Sequence, residues 1–164
     1  MQRTSKLILS ALFIAIGVLL PTALSHYFGR QVGTIFSPMH LPILLCGLIC
    51  GWKYGLAVGI ITPLLSSSVT GMPPLIPIGI AMALELATYG AVAGALRQID
   101  VYIALIVAMI SGRVVYQITQ MSLAGVNIGW FKAFLVEEFV TQWPGILITL
   151  VLVPLIMRLI PRRL

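Results

Sequence analysis

The feature that most constrains this chain is a series of apolar runs, some of them long enough to cross a lipid bilayer. Residues 7–24 contain no charged side chain, and residues 101–123 contain one, Arg113. A helix needs about 20 mostly apolar residues to span the hydrocarbon core. With 60% hydrophobic and 9% charged residues, the 164-residue chain has too few polar side chains to cover a water-soluble fold. The sequence therefore predicts an integral membrane protein.

Six apolar runs give the expected architecture. They cover residues 7–24, 43–50, 55–68, 78–96, 101–123 and 139–160. The second and third runs are short and contain glycine, so we expect thin or tilted helices, or a loop that dips partway into the membrane. Prolines in residues 70–77 predict a loop. The expected fold is an all-α, six-helix transmembrane bundle with short loops, forming a single domain over residues 1–164.

The distribution of basic residues predicts the orientation of this bundle. The residues expected inside are Arg3, Lys6, Lys53, Arg97, Arg158, Arg162 and Arg163, and those expected outside are Arg30 and Lys132. This bias places both termini in the cytoplasm and residues 25–38, 70–77 and 124–138 outside. The net charge of +6 is then an orientation signal rather than a sign of nucleic-acid binding. The first run is too long for a cleaved signal peptide, so we expect it to be retained.

Two ionisable residues lie inside predicted spans, Glu85 in the fourth and Arg113 in the fifth. A charge within the bilayer costs about 2.5 to 17 kcal/mol, so each needs a partner or a function. Helical spacing predicts two polar faces: Met82, Glu85 and Tyr89 on one helix, and Arg113, Tyr116, Gln117 and Gln120 on the next. These faces are typical of a ligand pocket. The alternative is that Glu85 and Arg113 only pair with each other and fix helix packing.

Three further residues lie near the expected outer rim of the bundle. Met39 and His40 stand between two prolines and are candidates to cap a pocket, although His40 also suits a hydrogen bond within its own loop. Trp143 begins the last helical segment and suits either a stacking wall or an interfacial anchor. Both interpretations stay open for each position.

The sequence gives little support to catalysis. Cys46 and Cys50 are four residues apart, and no cluster of histidines or carboxylates accompanies them. We therefore interpret them as small apolar residues rather than metal ligands. No nucleophile beside a base and no phosphate-binding glycine loop is evident. No catalytic residue, metal or cofactor is expected.

The first span has a face of small residues. Ala11 and Ala15 are one helical turn apart, an arrangement that lets another helix approach closely. Gly55 and Gly59 form a second small face on the third span. Either face is a candidate contact with another membrane helix.

A set of short motifs occurs in a characteristic order along the chain. They are Ala11-x-x-x-Ala15, residues 37–42, residues 62–67, residues 70–74, Glu85-Leu86-x-x-Tyr89-Gly90, Gly112-Arg113 and Trp143-Pro144-Gly145. Together they resemble the substrate-binding S component of energy-coupling factor (ECF) transporters. The likeness extends over nearly the whole chain and is most specific between residues 38 and 90.

This resemblance implies a prokaryotic plasma-membrane protein that binds a micronutrient from outside and docks with a transmembrane coupling subunit and two ATPases. It implies docking on Ala11 and Ala15, and a substrate held near the outer face between the extracellular loops and spans four to six. The substrate-binding candidates are then Met39, His40, Met82, Glu85, Tyr89, Arg113, Tyr116, Gln117, Gln120 and Trp143. Residues 25–38 are expected to act as a lid.

The substrate class stays open from the sequence. The chain looks most like the branch that serves pantothenate, riboflavin, hydroxymethylpyrimidine and α-ribazole. Arg113 suits a carboxylate or phosphate, whereas Glu85 and the glutamines suit N–H and hydroxyl groups of a heterocycle. Alternative functions are an autonomous secondary carrier, a membrane assembly factor or a membrane-embedded enzyme.

Overall fold

The helices of this protein were located in a computed structural model that describes residues 2–29, 38–124 and 143–159. Six α-helices occur in these ranges: α1 (Arg3–Phe28), α2 (His40–Cys50), α3 (Trp52–Thr70), α4 (Ile80–Ala95), α5 (Val101–Ala124) and α6 (Trp143–Leu159). No strand occurs in the same ranges, which confirms the all-α prediction. Residues 30–37, which include most of the predicted lid, and residues 125–142 lie outside the described residues.

Helix lengths separate full spans from shorter ones. Three segments are long and apolar enough to cross a membrane: Arg3–Tyr27, Leu75–Ala95 and Val101–Leu123. The helices α2 and α6 are apolar but have only 11 and 17 residues. An 11-residue helix is about 17 Å long, whereas the hydrocarbon core is about 30 Å thick. The expectation of a short second segment is therefore confirmed. The third segment is longer than predicted, because α3 extends beyond its apolar run at both ends and has 19 residues. The described residues thus contain six helices, of which three are candidate full spans.

The first helix is longer than its apolar run predicted. It includes residues 25–28, which the sequence placed in a polar loop, and it continues through Pro21. It ends at Gly29, whose φ of 86° is a backbone conformation that residues other than glycine rarely adopt. Hydropathy identified the apolar part of the helix but not its end, because a helix ends where the backbone changes conformation and not where polarity begins.

A single residue separates α2 from α3. Gly51 has a φ of 99°, and its N–H donates to the carbonyl of Gly47 at 2.9 Å. The sequence predicted a turn over residues 51–54 and allowed a loop dipping into the membrane. The structure instead has two helices, because one glycine with positive φ reverses the chain without further residues.

The proline-rich segment forms a loop, and two serines at the end of α3 donate hydrogen bonds to its backbone. The Ser66 hydroxyl donates to the carbonyl of Met72 at 2.9 Å, and the Ser67 hydroxyl donates to that of Pro73 at 2.6 Å. The chain then forms an irregular wide turn over Leu75–Gly79 before α4 begins. The predicted break in the helix is confirmed.

At the centre of the bundle, α4 packs against α2, α3 and α5. Its approach to α3 is close: a Cβ at Gly90 would overlap the backbone carbonyl of Gly55, and one at Gly59 would overlap that of Leu86. The small face predicted on the third span therefore contacts α4 within the chain. This contact fixes α4, which carries Glu85, beside its neighbours.

Candidate functional site

The two intramembrane charges form an ion pair between adjacent helices. Arg113 Nη1 on α5 lies 3.0 Å from Glu85 Oε1 on α4. The Glu85 side chain is 1% exposed and that of Arg113 is 15% exposed. A buried charge is tolerated when it is paired and hydrogen-bonded, and this contact meets that requirement for Glu85. Of the two predicted roles, mutual pairing is therefore present.

Two ring-bearing side chains lie beside the ion pair, and we call the four residues Glu85, Arg113, Tyr89 and His40 the ionic cluster. The Tyr89 hydroxyl, one turn after Glu85 on α4, donates to Glu85 Oε1 at 2.8 Å. The His40 ring stands edge-on to the Tyr89 ring, with 5.2 Å between centroids. Since His40 is the first residue of α2, the cluster joins α2, α4 and α5. His40 is buried, with its ring against that of Tyr89.

Gly112 has a role that sequence reasoning missed. A Cβ at this position would overlap the Tyr89 ring. The absence of a side chain therefore lets Tyr89 lie directly against α5, where its hydroxyl reaches Glu85. The available signal was a glycine immediately before an arginine in the middle of an apolar helix.

A second polar pair lies farther along α5. Gln120 Nε2 donates to the Tyr116 hydroxyl oxygen at 2.9 Å, and the Gln120 side chain is 5% exposed. Gln120 Oε1 is buried and has no hydrogen-bond partner among the described residues. The sequence predicted these two residues on one polar face, and the structure joins them directly.

The remaining candidates differ in burial. Met39 is a buried member of the hydrophobic core, and Met82 packs against that core while partly buried. Gln117 is partly buried one turn after Arg113. Trp143 is 53% exposed at the start of α6.

The cysteine pair behaves as a part of the core. Cys46 and Cys50 are both free and buried, and Cys46 Sγ lies 3.6 Å from the Ser10 hydroxyl oxygen of α1. No group of three or more potential metal-ligating side chains occurs in the described part of the chain. The pair contributes to the contact between α1 and α2.

The small-residue face of α1 points away from the bundle. Ala11 and Ala15 are exposed, whereas Ser10 and Gly17 are buried on the side that meets α2 and α3. A Cβ at Gly17 would press on the Thr62 side chain of α3. The surface around Ala11 and Ala15 is thus available to lipid or to another helix.

Comparison with known proteins identifies the family. A family model described as "ECF transporter, substrate-specific component" matches residues 5–162. No curated protein and no solved structure matches the chain. The match extends over almost the whole sequence and includes both the ionic cluster and the exposed face of α1. The chain belongs to the family of ECF transporter substrate-specific components.

Proposed function

We propose that this protein is the high-affinity binding subunit for uptake of a small vitamin or cofactor precursor across a prokaryotic plasma membrane. The candidate substrates belong to the pantothenate, riboflavin, hydroxymethylpyrimidine and α-ribazole class. A separate transmembrane coupling subunit and two ATP-binding subunits would energise transport. The observation that carries this proposal is the row of polar side chains on α5, from the partly buried Arg113 to the buried Gln120, which exceeds what packing between helices requires.

Different members of the ionic cluster have different access to a substrate. Glu85 and Tyr89 are enclosed by neighbouring helices, whereas Arg113 is the more exposed partner of the ion pair. A guanidinium presents its N–H donors in a rigid, planar fork, which suits recognition of acceptor atoms on a bound molecule. We therefore assign substrate contact to Arg113, and we assign Glu85 and Tyr89 to positioning it.

The orientation and the docking surface follow from the same proposal. Both termini face the cytoplasm, which puts the carboxyl-terminal end of α5, with Gln120, toward the outside. The coupling subunit approaches α1 at Ala11 and Ala15, where small exposed side chains allow two helices to come close together. Substrate binding and docking thus occupy different helices.

We expect Ala11→Trp and Ala15→Trp to prevent docking while leaving the fold intact. Both positions are exposed, so an indole there disturbs no internal contact, but it keeps a partner helix at a distance. The measurement is co-purification of the coupling subunit with the tagged protein from cells that express both. We expect at least about a tenfold loss, which corresponds to roughly 1.4 kcal/mol of docking free energy.

Ile16→Trp is the matched control for docking. Ile16 is also exposed on α1, but it lies about 100° around the helix from Ala15. This variant should recover the coupling subunit at the level of the unchanged protein. Equal recovery with all three tryptophan variants would show that docking uses another surface.

A transport assay without the ATP-binding subunits distinguishes a binding subunit from an autonomous carrier. The purified protein alone, reconstituted in vesicles, should bind a radiolabelled vitamin without accumulating it. Accumulation should require the coupling and ATP-binding subunits together with ATP. Accumulation driven by an ion gradient in their absence would favour the secondary carrier.

A further inference from the structure

The Gln120 amide is the buried polar group that the fold of the described residues leaves incompletely bonded. Its nitrogen donates to the Tyr116 hydroxyl oxygen at 2.9 Å, while Oε1 has no partner among the described residues. Buried polar atoms in folded proteins nearly always have a hydrogen-bond partner, so an exception calls for an explanation, and a bound molecule is one. The missing group must donate a hydrogen bond, because a carbonyl oxygen only accepts one.

Gln120 and Arg113 lie on the same face of α5. They are seven residues apart, which in an α-helix corresponds to about 10 Å along the axis and a rotation of about 20°. Tyr116 lies between them and holds the amide in place. One helix face therefore presents a donor, the guanidinium, and an acceptor, the amide oxygen, at a separation that a vitamin-sized molecule spans.

Among the described residues, the charge of Arg113 on this face is balanced by a carboxylate. The positive charge of Arg113 is compensated by Glu85 at 3.0 Å. An anionic substrate would add an unpaired negative charge next to a buried carboxylate, and both desolvation and repulsion oppose this. A neutral substrate with an acceptor atom for Arg113 avoids that cost.

We propose that the substrate is an electrically neutral molecule whose N–H or O–H group donates to Gln120 Oε1 and whose acceptor atom, about 10 Å away, contacts Arg113. This inference rests on the proposed function and narrows its substrate class. It favours a neutral heterocycle that carries hydroxyl or N–H groups over a carboxylic acid. Gln120 is then a residue that determines specificity.

The test compares thermal melting of the purified protein with four probes: riboflavin, α-ribazole, hydroxymethylpyrimidine and pantothenate. At least one of the three neutral probes should raise Tm more than the acid pantothenate does. In Gln120→Met the affinity for that neutral probe should fall about 10- to 100-fold, because its donor is left without an acceptor. The Tm of the ligand-free variant should change little, since the substitution removes the unbonded acceptor together with one hydrogen bond to the partly buried Tyr116.

A neighbouring substitution provides the control. The Thr119 hydroxyl already donates to the Val115 carbonyl at 2.8 Å, so Thr119→Val should leave probe affinity unchanged. The inference is overturned if pantothenate is the strongest probe, or if Gln120→Met binds the neutral probe normally. A large drop in Tm of the ligand-free Gln120→Met variant would also overturn it, because the amide would then be a structural group. A protein that responds to none of the four probes would contradict the proposed function itself.

Discussion

Replacing Arg113 by methionine is expected to lower the melting temperature in detergent by on the order of 10 °C, the decrease for a loss of several kcal/mol in a chain of this size. Methionine keeps much of the apolar volume of arginine but leaves the Glu85 carboxylate buried without its cationic partner. Removing one member of a buried ion pair typically costs about 3–5 kcal/mol. Because Arg113 is also assigned to substrate contact, binding of every vitamin probe should be lost.

A second substitution separates loss of charge pairing from loss of side-chain packing. In the double variant Arg113→Met with Glu85→Gln, the uncompensated carboxylate is replaced by a neutral amide whose oxygen still accepts from Tyr89. This variant should regain at least half of the lost melting temperature without regaining substrate binding. If the single and double variants have the same melting temperature, the ion pair is not what stabilises the contact between α4 and α5.

Gly90→Ala is expected to prevent folding or to destabilise the protein by at least about 3 kcal/mol, the upper range for an overpacked core. The added Cβ would overlap the Gly55 carbonyl of α3. Backbone occupies both sides of this contact, so no side chain is able to rotate away. The measurements are the yield of monodisperse protein in detergent and its melting temperature.

An exposed position on α3 serves as the control for added volume. Ala57→Val adds two carbon atoms where the side chain is exposed, and we expect the yield and the melting temperature to stay close to those of the unchanged protein. A stable Gly90→Ala protein would mean that α3 and α4 are farther apart than described. The central position assigned to α4 would then be wrong.

The sequence was sufficient to predict most of the helices and to predict that the two intramembrane charges need partners. Both predictions depend only on the order of residues along the chain. Apolar runs define helices in lipid, and a charge inside a run must find a partner. The partner itself was left open between Glu85 and a substrate, since the choice depends on the distance between two helices that no single helix determines. Gly112 contributes to the close approach of α4 and α5, because a Cβ there would overlap the Tyr89 ring.

Candidate substrate-binding residues that the sequence could not distinguish differ in how deeply the structure buries them. Trp143 and Tyr89 are both aromatic residues near polar neighbours, yet one is exposed at a helix end and the other is enclosed between helices. Helix ends were also less predictable than helix centres. At Gly29 and Gly51 the end depends on a positive φ, and glycine permits this conformation without requiring it.

We infer that this chain binds a small molecule as the substrate-specific subunit of an ECF transporter. The most direct measurement is mass spectrometry of small molecules released from the protein after expression in a vitamin-rich medium and purification. We predict about one equivalent of a neutral vitamin or vitamin precursor per chain, and its absence from the Arg113→Met variant. An empty protein whose melting temperature also fails to respond to a vitamin panel would contradict the claim.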